Sequence, residues 1–334
     1  MKKVLLSYDY ELFFGERSGT VQNTLIEPTS IILNAMDAAG LKGTFFVDWL
    51  MLKYLALEND ERAHQDYDRI VNQLKDIVCR GHRIELHVHP HWVDARYNGD
   101  GTWNFEDFTH YSLQSFTEEE VTRMFVDGTD LLTGIAREVD PDYKIVAFRA
   151  GGWAIQPFDK VKKGFLEAGI KVDSSVAYGV FAYNKYSFYD FRNAPKADLY
   201  RFDDDVCVPS KNGQFIEVPI ASYHRAFINK IFDKPTNMFS DKLQFLADGT
   251  HYREEDARYV KEHPLGEKTY LGMLGFRTNP INMIINLYRQ PRNLVCYIDH
   301  PKDITGMTAT NIKTLGKVAS TVLYSDLVDK EQLI

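Results

Sequence analysis

Cysteine is scarce in this chain: Cys79, Cys207 and Cys296 are the three among 334 residues. They are far apart and odd in number. A disulfide framework and a thiolate metal cage are therefore not expected, and a reducing compartment suits them. Long apolar runs are missing too. Nothing approaches the roughly 18 consecutive apolar residues of a membrane-spanning helix. The start, Met1-Lys2-Lys3-Val4-Leu5-Leu6, sets lysines before an apolar run as a secretory signal does. That run is too short and soon meets Asp9 and Glu11, so a cytoplasmic location is the expectation. An excess of positive charge is also absent. The formal net charge is −8, which argues against nucleic acid as a partner. There is no internal repeat and no low-complexity tract. What remains has the makeup of an ordinary globular protein, long enough for one large barrel with insertions or for two domains.

Histidine is what stands out. Three imidazoles fall within five residues in Ile84-Glu85-Leu86-His87-Val88-His89-Pro90-His91-Trp92. Leu86 and Val88 favour a strand, and Pro90 breaks it into a loop after about His89. Alternate side chains of a strand share a face. Glu85, His87 and His89 therefore point one way, and Ile84, Leu86 and Val88 the other. Neutral imidazoles at this spacing can close on one divalent transition metal, zinc among them. His91, just past the proline, is a further candidate ligand.

Taken in order, the chain alternates strand and helix. Val4 to Phe14 reads as a first strand, with Leu5, Ser7, Asp9 and Glu11 on one face and Val4, Leu6, Tyr8, Tyr10 and Leu12 on the other. Pro28 to Ala39 reads as a helix closed by Gly40, and Lys42 to Asp48 as a second strand. Asp66 to Arg80 is an amphipathic helix ended by Gly81. The histidine strand follows. Thr117-Glu118-Glu119-Glu120 has the form of a capping box opening a helix. Lys144 to Arg149, Ile170 to Val176, Ile216 to Ile220 and Leu294 to Ile298 complete seven strands, and a last helix is expected over about 310–324. This alternation is the mark of a parallel α/β sheet or barrel. The expectation is one domain over 1–334, a parallel α/β sheet or barrel of seven strands, with a rim insertion over about 222–292 in the C-terminal half.

In parallel barrels the active site lies at the C-terminal ends of the strands. Asp9, Glu11, Asp48, His87, His89, Arg149, Asp173 and His300 all fall at such ends, with His91 just beyond. Here the sequence resembles the polysaccharide deacetylases of the NodB-homology type, carbohydrate esterase family four in a broad sense. Ser7-Tyr8-Asp9-Tyr10-Glu11 resembles the first motif, whose leading Asp is the catalytic base. Gly43-Thr44-Phe45-Phe46-Val47 resembles the second strand. Gly81 to His87 resembles the approach to the metal histidines. Phe148-Arg149-Ala150-Gly151-Gly152-Trp153 resembles the third motif, whose Arg orients the base. Asp173-Ser174-Ser175 and His300-Pro301 resemble the fourth and fifth motifs. The resemblance covers 1–177 and 294–301, leaves out 178–293, and implies an irregular, TIM-like seven-stranded (β/α) barrel.

Two departures matter. The first motif of that family carries adjacent acids, whereas Tyr10 separates Asp9 from Glu11 here. Either Glu11 is the metal carboxylate, since i and i+2 share a face, or Asp9 ligates and the base lies elsewhere. The family's histidines are four apart, which selects His87 and His91, but the proline following the second histidine selects His89. His87 is the firmest ligand, and His89 is preferred to His91. The resemblance implies a divalent ion, zinc first and cobalt, manganese, iron or nickel as alternatives. It implies Asp9, Arg149 and His300 as catalytic groups, with Trp92 and Trp153 as stacking surfaces for a sugar. The expected reaction is N-deacetylation of an acetamido sugar in cell-surface polysaccharide synthesis, on a lipid- or nucleotide-linked precursor. A hydrolase of non-sugar linear or cyclic amides and a catalytically silent glycan-binding relative are the alternatives.

Overall fold

The computed structural model describes residues 1–15, 17–236, 243–251, 267–268 and 271–329; for 233–236, 267–268 and 329 it describes the backbone only. One nine-stranded sheet organises the chain. Its strands are β1 (Lys2–Tyr10), β2 (Thr44–Asp48), β3 (Arg83–Val88), β4 (Ala147–Ala150), β5 (Val172–Asp173), β6 (Tyr200–Phe202), β7 (Phe215–Glu217), β8 (Leu294–Asp299) and β9 (Ala319–Thr321). Their spatial order is β6-β7-β5-β4-β3-β2-β1-β8, with β9 also against β1. The seven strands expected from the sequence are all in this sheet and all run parallel to one another. The two others lie at its borders. β6 pairs antiparallel with β7, and β9 pairs with Lys2 to Val4 below the point where β2 joins β1.

The sheet curls until its ends meet. Ile220, just past β7, forms a parallel bridge with Cys296 of β8, and the N–H of Ala221 donates to the Cys296 carbonyl at 3.0 Å. Higher up, Leu274 is wedged between the two, donating to Ala221 and accepting from Ile298. The expected irregular barrel is therefore found, with its last seam stitched by single bonds instead of a full ladder.

Strand alternation creates two apolar layers. Val4, Leu6, Tyr8, Phe45, Val47, Leu86 and Phe148 face outward and pack with the helices. Those helices are α1 (Glu27–Ala38), α2 (Trp49–Leu57), α3 (Glu61–Cys79), α4 (Glu118–Arg137) and α5 (Asp159–Ala168). Leu5, Phe46, Ala147, Val172, Val218, Cys296 and Ile298 belong to a second cluster inside the barrel. Further α-helices among the described residues are α6 (Phe227–Thr236), α7 (Pro280–Arg289), α8 (Thr308–Leu315) and α9 (Tyr324–Asp329). Tyr324 and Leu327 of α9 join the interior cluster.

Local chemistry sets the boundaries. The Thr117–Glu120 capping box forms as expected and opens α4. Gly169, at φ 74°, closes α5. The helix expected over 310–324 is three elements. α8 stops at Leu315, and Ser320 and the β-branched Thr321 pair with Lys3 and Val4 of β1. Of the expected insertion, 222–236, 243–251, 267–268 and 271–292 are described, and the other residues lie outside the described set. Within it, Ser222–Tyr223 pairs antiparallel with Gly272–Met273.

Candidate active site

Ser7, Asp9 and Glu11 leave β1 on its inner face, and the barrel mouth collects them. At its centre is Arg149, with no exposed surface. His87 and Arg149 are in register on adjacent strands, so both point inward. One Arg149 Nη donates to Asp9 Oδ1 at 2.7 Å. The other donates to Ser7 Oγ at 2.8 Å and Ser174 Oγ at 3.0 Å, and Nε donates to the Ser174 carbonyl at 2.8 Å. The guanidinium carbon lies 4.3 Å from the centre of the Phe46 ring. This network fixes Asp9 at the mouth. Burial pushes the Asp9 carboxyl up, but Arg149, His87 and His300 outweigh it and hold the group below its usual range.

Glu11 extends one residue past β1 and meets the histidines. Its Oε2 lies 3.1 Å from His87 Nε2 and 2.6 Å from His89 Nε2. Ligand atoms of these three side chains all lie within 4.8 Å of one another. The other oxygen, Oε1, accepts from Lys302 Nζ at 2.7 Å, and Lys302 also donates to the Leu12 carbonyl at 2.9 Å. Burial opposes the charge on Glu11, yet Lys302 and His89 hold it well below the ordinary carboxylate range. His87 Nδ1 lies 2.7 Å from the Arg149 carbonyl. A carbonyl only accepts, so Nδ1 carries the proton there and Nε2 is free to offer its lone pair. Despite burial, Asp9 and then Glu11 push His87 up to about 9, whereas burial pushes His89 down to about 4. The two acids thus favour a positive charge at His87 in addition to those of Arg149 and Lys302.

The donor set fits a divalent metal. One carboxylate oxygen and two imidazole nitrogens converge, while the second atom of Glu11 and of His87 is tied to a protein group that orients it. His91 does not join them. Pro90 starts a 3-10 turn, Pro90–Asp94, that ends the strand alternation and carries His91 aside. Its ring is buried against Phe14, Phe105 and Tyr111, and neither nitrogen has a hydrogen-bond partner among the described residues. Of the two candidates for the second histidine, the structure brings His89 to Glu11.

His300 stands at the mouth opposite the histidine strand. Its Nε2 is 3.6 Å from Asp9 Oδ2 and 3.5 Å from Glu11 Oε1, and its Nδ1 is 3.3 Å from Asp303 Oδ2. Asp303 is buried and also receives Arg277 at 3.0 Å and His251 at 2.5 Å. Asp299, His300 and Asp303 form a second group with metal-like spacing, but the Arg277 guanidinium already supplies its cation.

Two expectations need correction. Trp92 is fully buried, donates Nε1 to Asp48 Oδ2 at 2.5 Å and packs against Tyr54, Trp103 and Phe105. It has no ring face left for a sugar. Asp48 also accepts the His89 N–H at 3.2 Å, so it clamps the turn that carries the histidines, and burial pushes its carboxyl up to about 7. Asp173 does not reach the mouth. It is in register with Phe148 and Glu217, on the face opposite Arg149, where Ser175 Oγ donates to it at 2.7 Å.

Trp153 is half-buried at the turn after β4, its ring 6.1 Å from Tyr189. Gly152 and Trp153 both have positive φ, 57° and 59°. The glycines before it are there for space. A Cβ on Gly151 would come 2.6 Å from the Val88 carbonyl and 2.7 Å from His89 Nδ1. Sequence reasoning missed Lys302 and Asp303. Nothing in a Pro-Lys-Asp run signals that its lysine reaches a carboxylate 291 residues away.

No family model and no curated protein matches the chain. Among solved structures it is similar to a protein assigned as a polysaccharide deacetylase from Mycobacterium smegmatis, at 14% identity and a TM-score of 0.47, over 98% of this chain and 90% of that one. It is also similar to the peptidoglycan deacetylase PdaC from Bacillus subtilis, at 11% identity and a TM-score of 0.39, over 98% and 90%. A 4-alpha-glucanotransferase from Thermococcus litoralis has a TM-score of 0.48 at 12% identity, over 99% of this chain and 39% of that one. At such identities the chemistry has to be read from this chain's own atoms.

Proposed function

We propose that this protein is a metal-dependent amide hydrolase that removes the acetyl group of an acetamido sugar. The observation that carries the reading is the meeting of Glu11, His87 and His89 beside the Arg149–Asp9 pair, with His300 facing both acids. Glu11, His87 and His89 would hold a divalent ion, zinc first. Such an ion supplies Lewis-acid polarisation of a carbonyl and acidifies water.

The chain's own groups would do the rest. Asp9, kept ionised by Arg149, takes a proton from the attacking water. Ser7 and Ser174 hold the Arg149 guanidinium in place while this happens. His300 gives a proton to the departing amine, which leaves poorly as an anion. The Asp303 carboxylate lies 3.3 Å behind its ring and would favour the protonated imidazole. Water and amide become acetate and the free amino sugar. Trp153, at the rim, offers a partly open ring face to the sugar.

In this reading the chain is one barrel domain with a rim insertion. It works in the cytoplasm on a lipid- or nucleotide-linked precursor of a cell-surface polysaccharide. One observation favours a silent binding relative instead: Glu11 and Asp9 are each already neutralised by a partner, Lys302 and Arg149. The test is to strip the protein with chelator, reload it with zinc, cobalt, manganese, iron or nickel, and assay acetate release. Release from acetamido sugars and not from a panel of non-sugar amides supports the proposal. No release from any acetamido sugar with any metal sinks it.

A further inference from the structure

Glu11 brings two oxygens to the barrel mouth, and each has its own partners. Oε2 faces the imidazoles, 3.1 Å from His87 Nε2 and 2.6 Å from His89 Nε2. Oε1 accepts from Lys302 Nζ at 2.7 Å. The proposed reaction gives this lysine no task, yet it is only 3% exposed. A lysine is almost never buried so far from water unless it is paired. Local structure carries it there. Pro301 opens a single 3-10 turn, Pro301–Asp303, in which the Asp303 N–H donates to the His300 carbonyl at 3.0 Å. From that turn Lys302 reaches the end of β1, where Nζ also donates to the Leu12 carbonyl at 2.9 Å. The rings of Phe13 and Phe14 lie 5.4 and 4.8 Å from Nζ. Phe14 in turn packs on His89, ring centres 4.3 Å apart. The ammonium is therefore held by two acceptors and two rings, next to the metal-like ligand group.

That place has an electrostatic consequence. A divalent ion on Oε2 and the two imidazoles shares one small carboxylate with a fixed positive charge on Oε1. Like charges at opposite oxygens of one group repel, and Glu11 is too deeply buried for water to screen them well. Without an ion, the same lysine compensates the buried Glu11 carboxylate, which would otherwise be costly to keep charged. Both effects have one sign. Lys302 stabilises the metal-free protein and opposes the ion. Because coupling is reciprocal, lysine and ion each weaken the other's hold on Glu11.

We infer that Lys302 is a positioning residue that stands in for the metal's charge at Glu11. It places the carboxylate before an ion arrives, and it makes the site hold that ion less tightly than Glu11, His87 and His89 alone would. The inference rests on the reading of those three residues as a metal site, and it is independent of the substrate and of the reaction.

The experiment is a zinc titration of the chelator-stripped full chain in competition with a chromophoric chelator, for the wild type, Lys302→Met and Lys302→Gln. Melting temperatures are recorded with and without zinc, and far-UV circular dichroism checks the fold. Without zinc, both variants should melt below the wild type. With zinc they should regain more than the wild type gains, and bind the ion at least roughly tenfold more tightly. A lysine that merely packs predicts equal or weaker binding once it is removed. Zinc affinity unchanged or lowered in the variants, with the wild type binding, would therefore overturn the inference and leave the metal site standing. Variants that stay unfolded even with zinc would also overturn it, because the ion could not then replace the lysine. No zinc on any of the three proteins would overturn the metal site itself, and the inference with it.

Discussion

Replacing Arg149 by Met tests how the barrel mouth is held together. The aliphatic stem keeps most of its volume, but the charge and four strong hydrogen bonds disappear. The carboxylate of Asp9 then stays buried without its nearest cation, and the Ser174 carbonyl loses its Nε–H donor. Removing one partner of a buried ion pair costs about 3–5 kcal/mol. At about 2 °C per kcal/mol for a chain of this size, the melting temperature should fall by roughly 6–10 °C at neutral pH. The pH dependence has a definite sign. Asp9 is held below its ordinary pKa in the fold, so its ionic stabilisation is present above the unfolded value and is lost as pH falls through the folded one. The gap between wild type and variant should therefore be widest near neutrality and narrow in acid. Asp9→Asn strands the guanidinium in the same way, and the double variant should be less destabilised than the sum of the two. Urea denaturation across pH measures all four proteins. A single variant as stable as the wild type at pH 7, or an additive double variant, would refute the reasoning.

Three further outcomes are expected. His82 accepts the Gly43 N–H on Nδ1 at 3.1 Å and turns Nε2 to Asp37, and burial pushes it down to about 4. It folds neutral, so stability should be full above about 6.5 and drop by about 3 kcal/mol as pH falls towards 4; denaturation of His82→Gln, which should flatten that slope, checks it. Gly151→Ala should displace His89 and weaken metal binding in a competition titration, leaving the far-UV spectrum intact. Trp92→Ala should cost about 3–5 kcal/mol of stability, and Trp92→Phe, which keeps most of the packing, should leave KM for any substrate unchanged; a raised KM there would return Trp92 to the substrate.

Much of this was legible because a strand has a two-residue period. Ser7, Asp9 and Glu11 could be assigned to one face before any fold was known, and Pro90 marked where the histidine alternation fails. That failure is why His89 and not His91 lies against Glu11: the turn after Val88 moves the later ring into an aromatic wall. Asp173 shows the limit. Its strand has only two residues, and one step of register, against Phe148 instead of Arg149, turns the carboxylate to the outer face. Trp92 was misread because sequence gives the type of a side chain and not its neighbours, and Asp48, Trp103 and Phe105 come from elsewhere in the chain. Lys302 and β9 have long-range causes, a carboxylate and a strand edge at the other end of the polypeptide.

The most direct measurement is the metal content of protein purified from metal-supplemented cells, by elemental analysis, for the wild type and for His87→Ala, His89→Ala, His91→Ala and Glu11→Ala. The expected result is about one divalent ion per chain in the wild type and His91→Ala, and near none in the other three with their fold unchanged. A metal-free wild type, or a fully loaded His87→Ala, would contradict the site.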